Sequence, residues 1–213
     1  MPFSSSIYPL LMPDGAVSKA TVGMHNIVGA NRSPFTGTQQ IFDWGAETFS
    51  VSIELPAGSL AATARAWVAF LALLRGQVGT FLWYDTSQPK PRGNTGPDGA
   101  IAVNGAGQTG NQLQVKGCIP NTQNVLRAGD WITPGRTIGM TQRIYMVCAD
   151  ANSDALGNTG LLIWPALRES PNDGAAVWTQ PATGTFRLAS SDREFSVDET
   201  LAYGISFDAV EVI

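Results

Sequence analysis

The chain has 213 residues, of which 44% are hydrophobic and only 14% are charged, and its formal net charge is −4. A chain of this length can bury a stable core without a disulfide or a metal. Its lysines and arginines are scattered and form no basic patch, which argues against binding to nucleic acid and against binding to an anionic membrane surface. Because soluble domains usually carry about 25% charged residues, the low charge indicates a surface covered partly by neutral polar residues or by partner chains.

The first forty residues are predicted to be loop-like, since they are rich in Ser, Pro, Gly and Asn. Pro2, Pro9 and Pro13 interrupt a start that has no cationic residue, so no signal peptide is expected and synthesis in the cytoplasm is predicted. A weak strand is predicted over residues 18–24. Residues 31–40 are interpreted as a long exposed connection, a kind of loop that usually makes contacts or carries function.

The clearest strand and the clearest helix follow one another. Residues 47–55 alternate apolar and polar side chains, which predicts a strand with one buried face. Residues 60–75 predict a helix, with Ser59 as its N-cap and Gly76 as the residue beyond its C-terminus. The apolar stripe of this helix recurs at i, i+3, i+4 and i+7 and consists of Trp67, Phe70, Leu71 and Leu74.

A second module is predicted after the helix. Residues 78–85 are apolar on both faces, which is typical of a strand covered on two sides. Residues 86–112 are rich in Pro, Gly, Asn, Gln and Thr and indicate a boundary. Short apolar segments then alternate with turns up to residue 190, which predicts a small β-barrel or β-sandwich. The predicted strands are Leu113–Cys118, Asp130–Thr133, Arg143–Ala149, Gly160–Trp164, Ala175–Thr179 and Thr185–Ala189.

The segment 200–213 alternates again, with Ile205 and Phe207 on its apolar face. Its period matches that of residues 47–55, so we expect it to complete the sheet of the first module. Residues 1–86 and 191–213 are therefore predicted to form one domain and residues 87–190 an inserted one. The predicted fold class is mainly β, with one packed α-helix in the first domain and a small β-barrel or β-sandwich as the inserted module.

The sequence contains no recognisable catalytic, cofactor-binding or metal-binding motif. The single histidine, His25, has no partner at the spacing of a zinc site. The glycine-rich segment 104–111 lacks the lysine and the helix of a phosphate-binding loop. Cys118 and Cys148 are too few for a disulfide framework, and Cys148 is predicted to be buried because it lies in an apolar run.

Asp150, Asn152 and Asp154 have the spacing of a calcium-binding loop, but Ala155 and Leu161 stand where that loop has Gly and Glu. A polar turn between strands is the better interpretation. A pair of catalytic carboxylates, as in a tail-associated hydrolase, stays open because such pairs need not be close along the chain. The acids between residues 110 and 180 are Asp130, Asp150, Asp154, Glu169 and Asp173.

Among the six tryptophans, Trp67 and Trp83 belong to apolar patterns and are predicted to be core residues. Trp131, Trp164 and Trp178 lie beside turns in the second module. Side chains of this kind can stack on sugar rings or anchor a protein interface, and core packing is the other interpretation for each of them.

The order of motifs over residues 44–85 resembles a known family. The strand WGAETFSVSIELPAG, the helix ARAWVAFLALLRG and the strand QVGTFLWYD are similar to the distal tail proteins, and related minor tail proteins, of long-tailed bacteriophages and gene-transfer agents. The later segments LRAGDWITPG, RIYMVCADANSDALGN and IWPALRESPNDGAAV resemble the second module of that family. The similarity spans roughly residues 40–190.

This resemblance implies a tail-tube-like β-sandwich with one packed helix and an inserted, outward-projecting module. It implies a structural subunit of the virion tail that is not an enzyme and has no cofactor. It also implies that six copies form a ring between the tail tube and the hub and fibre proteins. The expected partners are therefore copies of the chain itself, the tube protein, the hub and the fibres. The alternative is a carbohydrate- or receptor-binding tail module that uses Trp131, Trp164 or Trp178.

Overall fold

Two β-sheets and one α-helix form the regular structure of the described residues, which are 8–15, 17–56, 61–135, 141–192, 195–197 and 203–213 of this computed structural model. The fold class predicted from the sequence, mainly β with one packed helix and a second small β module, is confirmed. The elements in chain order are β1 (Leu10–Leu11), β2 (Lys19–Arg32), β3 (Gln39–Glu54), α1 (Ala61–Leu74), β4 (Phe81–Trp83), β5 (Ala102–Val103), β6 (Gly110–Lys116), β7 (Trp131–Pro134), β8 (Tyr145–Val147), β9 (Thr159–Leu167), β10 (Val177–Trp178), β11 (Gly184–Leu188), β12 (Phe195–Val197) and β13 (Tyr203–Glu211).

The first sheet has seven strands, in the order β1–β4–β11–β13–β3–β2, with β12 paired to β13 outside this path. β13 runs antiparallel to β3 and places Phe207 opposite Ile53. The predicted return of the segment 200–213 to the first sheet is therefore confirmed for its described residues. Ile205, Phe207 and Ala209 alternate onto the buried face of β13, as the period-two pattern requires.

The helix α1 packs on this sheet through its predicted apolar stripe. The ring centroid of Trp67 lies 5.9 Å from that of Phe207 in β13, and the centroid of Phe70 lies 5.5 Å from that of Phe81 in β4. The four stripe residues are all buried, with exposed fractions of 7% or less, and they are Trp67, Phe70, Leu71 and Leu74. Burial of such side chains contributes roughly 1.5–3 kcal/mol each, so the helix is fixed by tertiary packing more than by its own propensity.

The C-terminus of α1 is followed by the predicted glycine. Gly76 has a φ of +68°, a conformation that favours glycine, and an added Cβ would lie 3.0 Å from the Cα of Ser191. Ser59, the predicted N-cap, lies outside the described residues.

The second sheet closes into a small barrel. Its six antiparallel strands have the order β10–β7–β8–β9–β6–β5. A bridge between Ala102 and Ala176, and a hydrogen bond of 2.9 Å from the Val103 N–H to the Ala175 carbonyl, join the two ends of the sheet. Apolar side chains from every strand fill the interior, among them Val103, Leu113, Val115, Ile132, Val147, Leu161, Ile163 and Val177.

An aromatic seam joins the barrel to the first sheet. The ring centroid of Phe49 in β3 lies 5.1 Å from that of Trp131 in β7 and 4.6 Å from that of Trp164 in β9. Trp83 in β4 contacts Trp131 at 5.8 Å. All three contacts are edge-to-face, the arrangement that the charge distribution of aromatic rings favours.

A buried ion pair lies in the same seam. Arg168, which follows β9, contacts the carboxylate of Glu211 in β13, whose side chain is 0% exposed. Glu211 Oε2 also accepts the Phe49 N–H at 3.1 Å, and Arg168 Nη2 donates to the Glu47 carbonyl at 2.8 Å. Glu47 Oε2 in turn accepts the Ala166 N–H at 2.7 Å. The buried charges therefore have the several partners that burial of a charge requires.

Two expectations are corrected by the structure. The strand β11 lies within the predicted insertion, residues 87–190, but it pairs with β4 and β13 in the first sheet because Phe186 and Leu188 point into the first core. Cys148 is exposed, since it follows Val147, whose side chain points into the barrel, and alternation turns the next side chain outward. Cys118 is buried and both thiols are free. The division of the chain into two domains stays a prediction.

Asp130 fixes the connection between the first sheet and the barrel. Its side chain is 0% exposed, and its carboxylate accepts the N–H groups of Arg92, Gly93 and Arg127 at 2.8–3.2 Å and the Gln88 amide at 3.1 Å. The carboxylate therefore satisfies buried donors from both sides of the connection.

We expect Asp130→Asn to lower the free energy of unfolding by about 3 kcal/mol, because the new amide N–H₂ would face donors that lose a charged acceptor. Chemical denaturation monitored by tryptophan fluorescence measures this change. Asp208→Asn makes the same replacement at an exposed position and serves as the control. Equal denaturation midpoints for the two variants would contradict the role of Asp130.

Candidate functional site, a projecting hairpin arm

The β2–β3 hairpin continues beyond the first sheet as an arm, defined here as residues 27–46. The regular pairing of the sheet ends at Asn26 opposite Glu47 and resumes at Val28 opposite Asp43, so β3 has extra residues at the root of the arm. Such bulges bend a strand and change its direction. The pairing then continues to Arg32, and the arm extends about 20 Å beyond the bulge at 3.4 Å per residue.

The arm corrects the expectation of a long connection over residues 31–40. Only the turn 33–38 is outside the strands, and it is closed by hydrogen bonds from Ser33 N–H to the Thr38 carbonyl (2.9 Å) and from Gly37 N–H to the Ser33 carbonyl (3.0 Å). The predicted exposure of the segment is confirmed.

Large apolar side chains are exposed on both faces of the arm. Val28 and Ala30 lie on one face of β2 by alternation, and Ile41, which is paired with Ala30, lies on that same face. Phe42, which is paired with Gly29, lies on the other face. Trp44 lies on the face of Phe42, since an added Cβ at Gly29 would be 3.3 Å from its Nε1. The exposed fractions are Ile27 61%, Val28 46%, Phe35 95%, Ile41 56%, Phe42 47% and Trp44 71%.

The sheet edge that leads into the arm is unpaired in the described part of the chain. β2 is the last strand of the first sheet, and its outer N–H and C=O groups face no other described strand. A long edge strand next to exposed apolar side chains is the feature that soluble proteins normally avoid, because it invites pairing with another chain.

One sequence signal could have revealed the arm. Ile41, Phe42 and Trp44 occupy adjacent and alternate positions, which is typical of a strand whose two faces are both covered. The turn 33–38, with its Pro and Gly between two runs, is the matching hairpin signal. The weak strand predicted over residues 18–24 and the strong strand predicted over 47–55 are the parts of β2 and β3 that pair with each other at the base of this hairpin.

The three tryptophans predicted as contact residues occupy different surroundings. Trp131 and Trp164 are half-buried and come together on Phe49 in the aromatic seam, where the indole N–H of Trp131 donates to Asp85 Oδ2 at 3.3 Å. Trp178 is half-buried elsewhere in the barrel, where its ring lies beside Gly99. Packing at the seam therefore accounts for the first two side chains.

The polar motifs of the sequence form turns. Asp154 accepts the N–H groups of Leu156 and Asn158, both at 2.8 Å, and the Asn158 N–H lowers the pKa of this carboxyl. Asp150 accepts the Ala128 N–H at 2.9 Å, and Asn152 also binds a backbone N–H. The interpretation of residues 150–154 as a polar turn is therefore favoured over calcium binding.

The glycine-rich segment 104–111 is organised by its own amide side chain. Gln108 donates to the carbonyls of Asn104, Gly105 and Gln114 and accepts the Gln114 N–H at 2.6 Å. His25 lies exposed on β2, where its Nε2 is 2.7 Å from Ser50 Oγ.

A polar cleft of about 380 Å³ opens at the end of the barrel where β7 and β9 end and β8 begins. Arg143 and Glu169, whose charged atoms are 3.2 Å apart, lie in its wall with Asn172. Tyr145 also lines the cleft, and burial raises the pKa of that phenol above its ordinary value. The paired charges leave the cleft nearly neutral.

Within the described ranges, no group of three or more His, Cys, Asp or Glu side chains is placed to hold a metal ion. The single helix found there is too short to cross a bilayer. No protein-family model matches the chain, and no curated protein matches it significantly.

Proposed function

We propose that this chain is a structural, non-catalytic subunit of a bacteriophage tail tip, which assembles with copies of itself into a ring between the tail tube and the hub and fibres. The observation that carries the proposal is the projecting arm, residues 27–46, with large apolar side chains exposed on both faces. The resemblance of residues 44–85 to distal tail proteins supplies the biological setting. By the same resemblance, the ring has six copies.

The arm supports an assembly role because its exposed surface is costly in a monomer. Exposed apolar patches that exceed a few hundred Å² usually mark interaction sites. The arm has 20 residues, which approaches the roughly 20–30 residues that each partner contributes to a standard interface. Trp and Phe are also among the residues that bury most surface at an interface.

The two exposed faces favour a ring over a simple twofold dimer. A hairpin that is apolar on both faces needs cover on both faces, which a single flat contact does not provide. In a ring, each subunit contacts two neighbours through different surfaces, and the contacts close on themselves. The unpaired edge of β2 offers backbone groups to one such neighbour.

The barrel is proposed to face the hub and fibres. It is attached to the first sheet through the aromatic seam and the Arg168–Glu211 pair, so it holds a fixed place beside the root of the arm. A module held in this way can present a second surface to other tail proteins while the arm contacts neighbouring copies.

The purified full-length chain tests this proposal. We expect sedimentation velocity and native mass spectrometry to show an oligomer at about six times the 22.6 kDa monomer mass, and negative-stain images to show rings. Gold-labelled antibody against the chain should bind virions at the tail tip. A monomer at all concentrations, or label found only away from the tail, would contradict the proposal.

The polar cleft favours a second candidate function, the binding of a carbohydrate by the barrel. Mouths of β-barrels are common ligand sites, and a volume of about 380 Å³ lies within the range of small-molecule pockets. Neutral hydroxyl-rich ligands suit a wall of amides and paired charges better than ions do. Trp131 and Trp164 are half-buried in the seam, so the cleft is a better candidate for a sugar-binding site than those two rings.

A glycan array with the full chain, followed by calorimetric titration of any ligand found, tests the second candidate. We expect Asn172→Ala and Glu169→Gln each to weaken binding at least about tenfold, since the first removes a hydrogen-bonding amide and the second replaces an acceptor oxygen by a donor. Gln123→Ala, an exposed change outside the cleft, should leave the affinity unchanged. An array with no bound glycan would remove this candidate.

A further inference from the structure

The end of the arm is a single exposed phenylalanine on an ordered turn. Phe35 is 95% exposed, the largest exposed fraction among the big apolar side chains of the described residues. Its N–H and that of Thr36 lie 3.4 and 3.3 Å from Ser33 Oγ, and the turn is closed by two backbone hydrogen bonds. The backbone that carries the ring is therefore fixed, which lowers the entropy lost when a partner binds the tip.

A groove of about 360 Å³ lies at the opposite end of β2, between residues 15 and 17–22 on one side and the turn 85–87 on the other. Val17 and Val22 line it and pack against the first core, and Ala20 belongs to the same lining. Asp85 stands at the rim.

We propose that the arm tip of one copy inserts Phe35 into the groove at Val17, Ala20 and Val22 of a neighbouring copy. This inference rests on the proposed ring and names the surface that receives the arm. The groove has a mixed lining, in which Val17, Ala20 and Val22 offer apolar contact to the phenylalanine ring among polar side chains. The free edge of β2 beside it offers backbone groups to the strands of the arm.

Two observations point to a second copy as the occupant. Ala20 and Arg32 stand twelve positions apart on β2, about 40 Å at 3.4 Å per residue, so a tip cannot reach the groove of its own chain. The groove lining holds one cation, Lys19, whose ammonium pairs with Glu54 at 3.5 Å, and one anion, Asp85. Asp85 and Arg32, which lies beside the tip, have opposite charges, and neither forms an ion pair within the described residues. The docked tip brings these two charges together.

The geometry of this contact also explains a closed assembly. Tip and groove are different surfaces, so each copy offers a tip to one neighbour and a groove to the other. A contact of this heterologous kind generates a ring when the rotation between copies closes.

Disulfide trapping tests the contact in the full chain. In a Cys148→Ser background, which removes the exposed thiol, we expect Thr36→Cys with Ala20→Cys to give a ladder of cross-linked oligomers on oxidation, lost on reduction. Thr36 lies next to Phe35 in the exposed turn, so this pair keeps the phenylalanine ring. Thr36→Cys with Leu156→Cys, a pair that uses an exposed barrel residue, should give no ladder. Thr36→Cys alone reports any linkage between two tips, which would stop at dimers.

Neutralising the two charges provides a second, independent readout. Arg32→Gln and Asp85→Asn should each weaken assembly about threefold, and the double variant should assemble no more weakly than either single variant, because both remove the same attraction. Asp85→Asn keeps an oxygen that can accept a hydrogen bond, so it disturbs the seam less than a reversal of charge. Intact oligomers without the 20–36 cross-link, or additive effects of the two neutralisations, would overturn the tip-and-groove contact and leave the ring proposal standing. A monomeric parent protein would overturn both.

Discussion

Phe42→Asp with Trp44→Asp is expected to convert the assembled protein into a folded monomer of 22.6 kDa. Both side chains are exposed on one face of the arm, with exposed fractions of 47% and 71%, so the isolated chain does not need them for its core. Aromatic side chains at the centre of an interface typically contribute about 2 kcal/mol or more each. Two such losses correspond to a weakening of about a thousandfold, and the new carboxylates add a cost of desolvation.

Sedimentation velocity across a concentration series measures this effect, and thermal unfolding followed by circular dichroism shows whether the fold is kept. Leu156→Asp with Leu162→Asp is the matched control, because it places two charges on exposed apolar positions of the barrel, 81% and 44% exposed. The control should assemble as the unchanged chain does. Full assembly of the Phe42 and Trp44 variant would contradict the role of the arm.

The second large effect is expected at the seam. Glu211→Ala removes the partner of Arg168, which is only 12% exposed, and also leaves the Phe49 N–H without its acceptor. Breaking a buried pair by removing one partner costs about 3–5 kcal/mol. For a chain of this size, that loss lowers the unfolding temperature by roughly 10 °C.

Differential scanning calorimetry of three variants separates the buried pair from an exposed one. Glu169→Ala breaks the pair with Arg143, but Glu169 is 72% exposed, so a loss below about 1 kcal/mol is expected. Arg168→Met with Glu211→Leu replaces both buried charges by apolar groups and should regain part of the stability, while the Phe49 N–H still lacks its acceptor. If Glu211→Ala and Glu169→Ala lowered the unfolding temperature equally, the seam pair would have no special role.

Local periodicity was enough to predict much of the fold. Two kinds of apolar pattern predict elements that must bury one face. They are the alternation of residues 47–55 and 200–213 and the helical stripe of Trp67, Phe70, Leu71 and Leu74. Elements that must each bury a face are expected to pack against one another. The short barrel strands were found because turns separate them. In each of these cases the pattern is created by the same burial that stabilises the element.

The arm was missed for the converse reason. No described part of the chain covers residues 27–46. Their sequence therefore lacks the alternation of apolar and polar side chains that a strand with one buried face has. The placement of β11 was also missed, because its neighbours in sequence belong to the barrel while its partners β4 and β13 lie about 100 residues before it and about 20 residues after it. Pairing over such distances leaves no local signal.

The position of β13 also has a consequence for synthesis. Its partner β3 ends at Glu54, whereas β13 begins at Tyr203, after all six barrel strands. At about 5–20 residues per second, the ribosome needs roughly 7–30 seconds to add the residues between them. During that interval the β3 side of the sheet is open, and the Arg168–Glu211 pair does not exist. A nascent chain thus has time to form its barrel before it can complete the sheet that carries the arm. Unfinished chains therefore lack a complete first sheet and are expected to assemble poorly with finished copies.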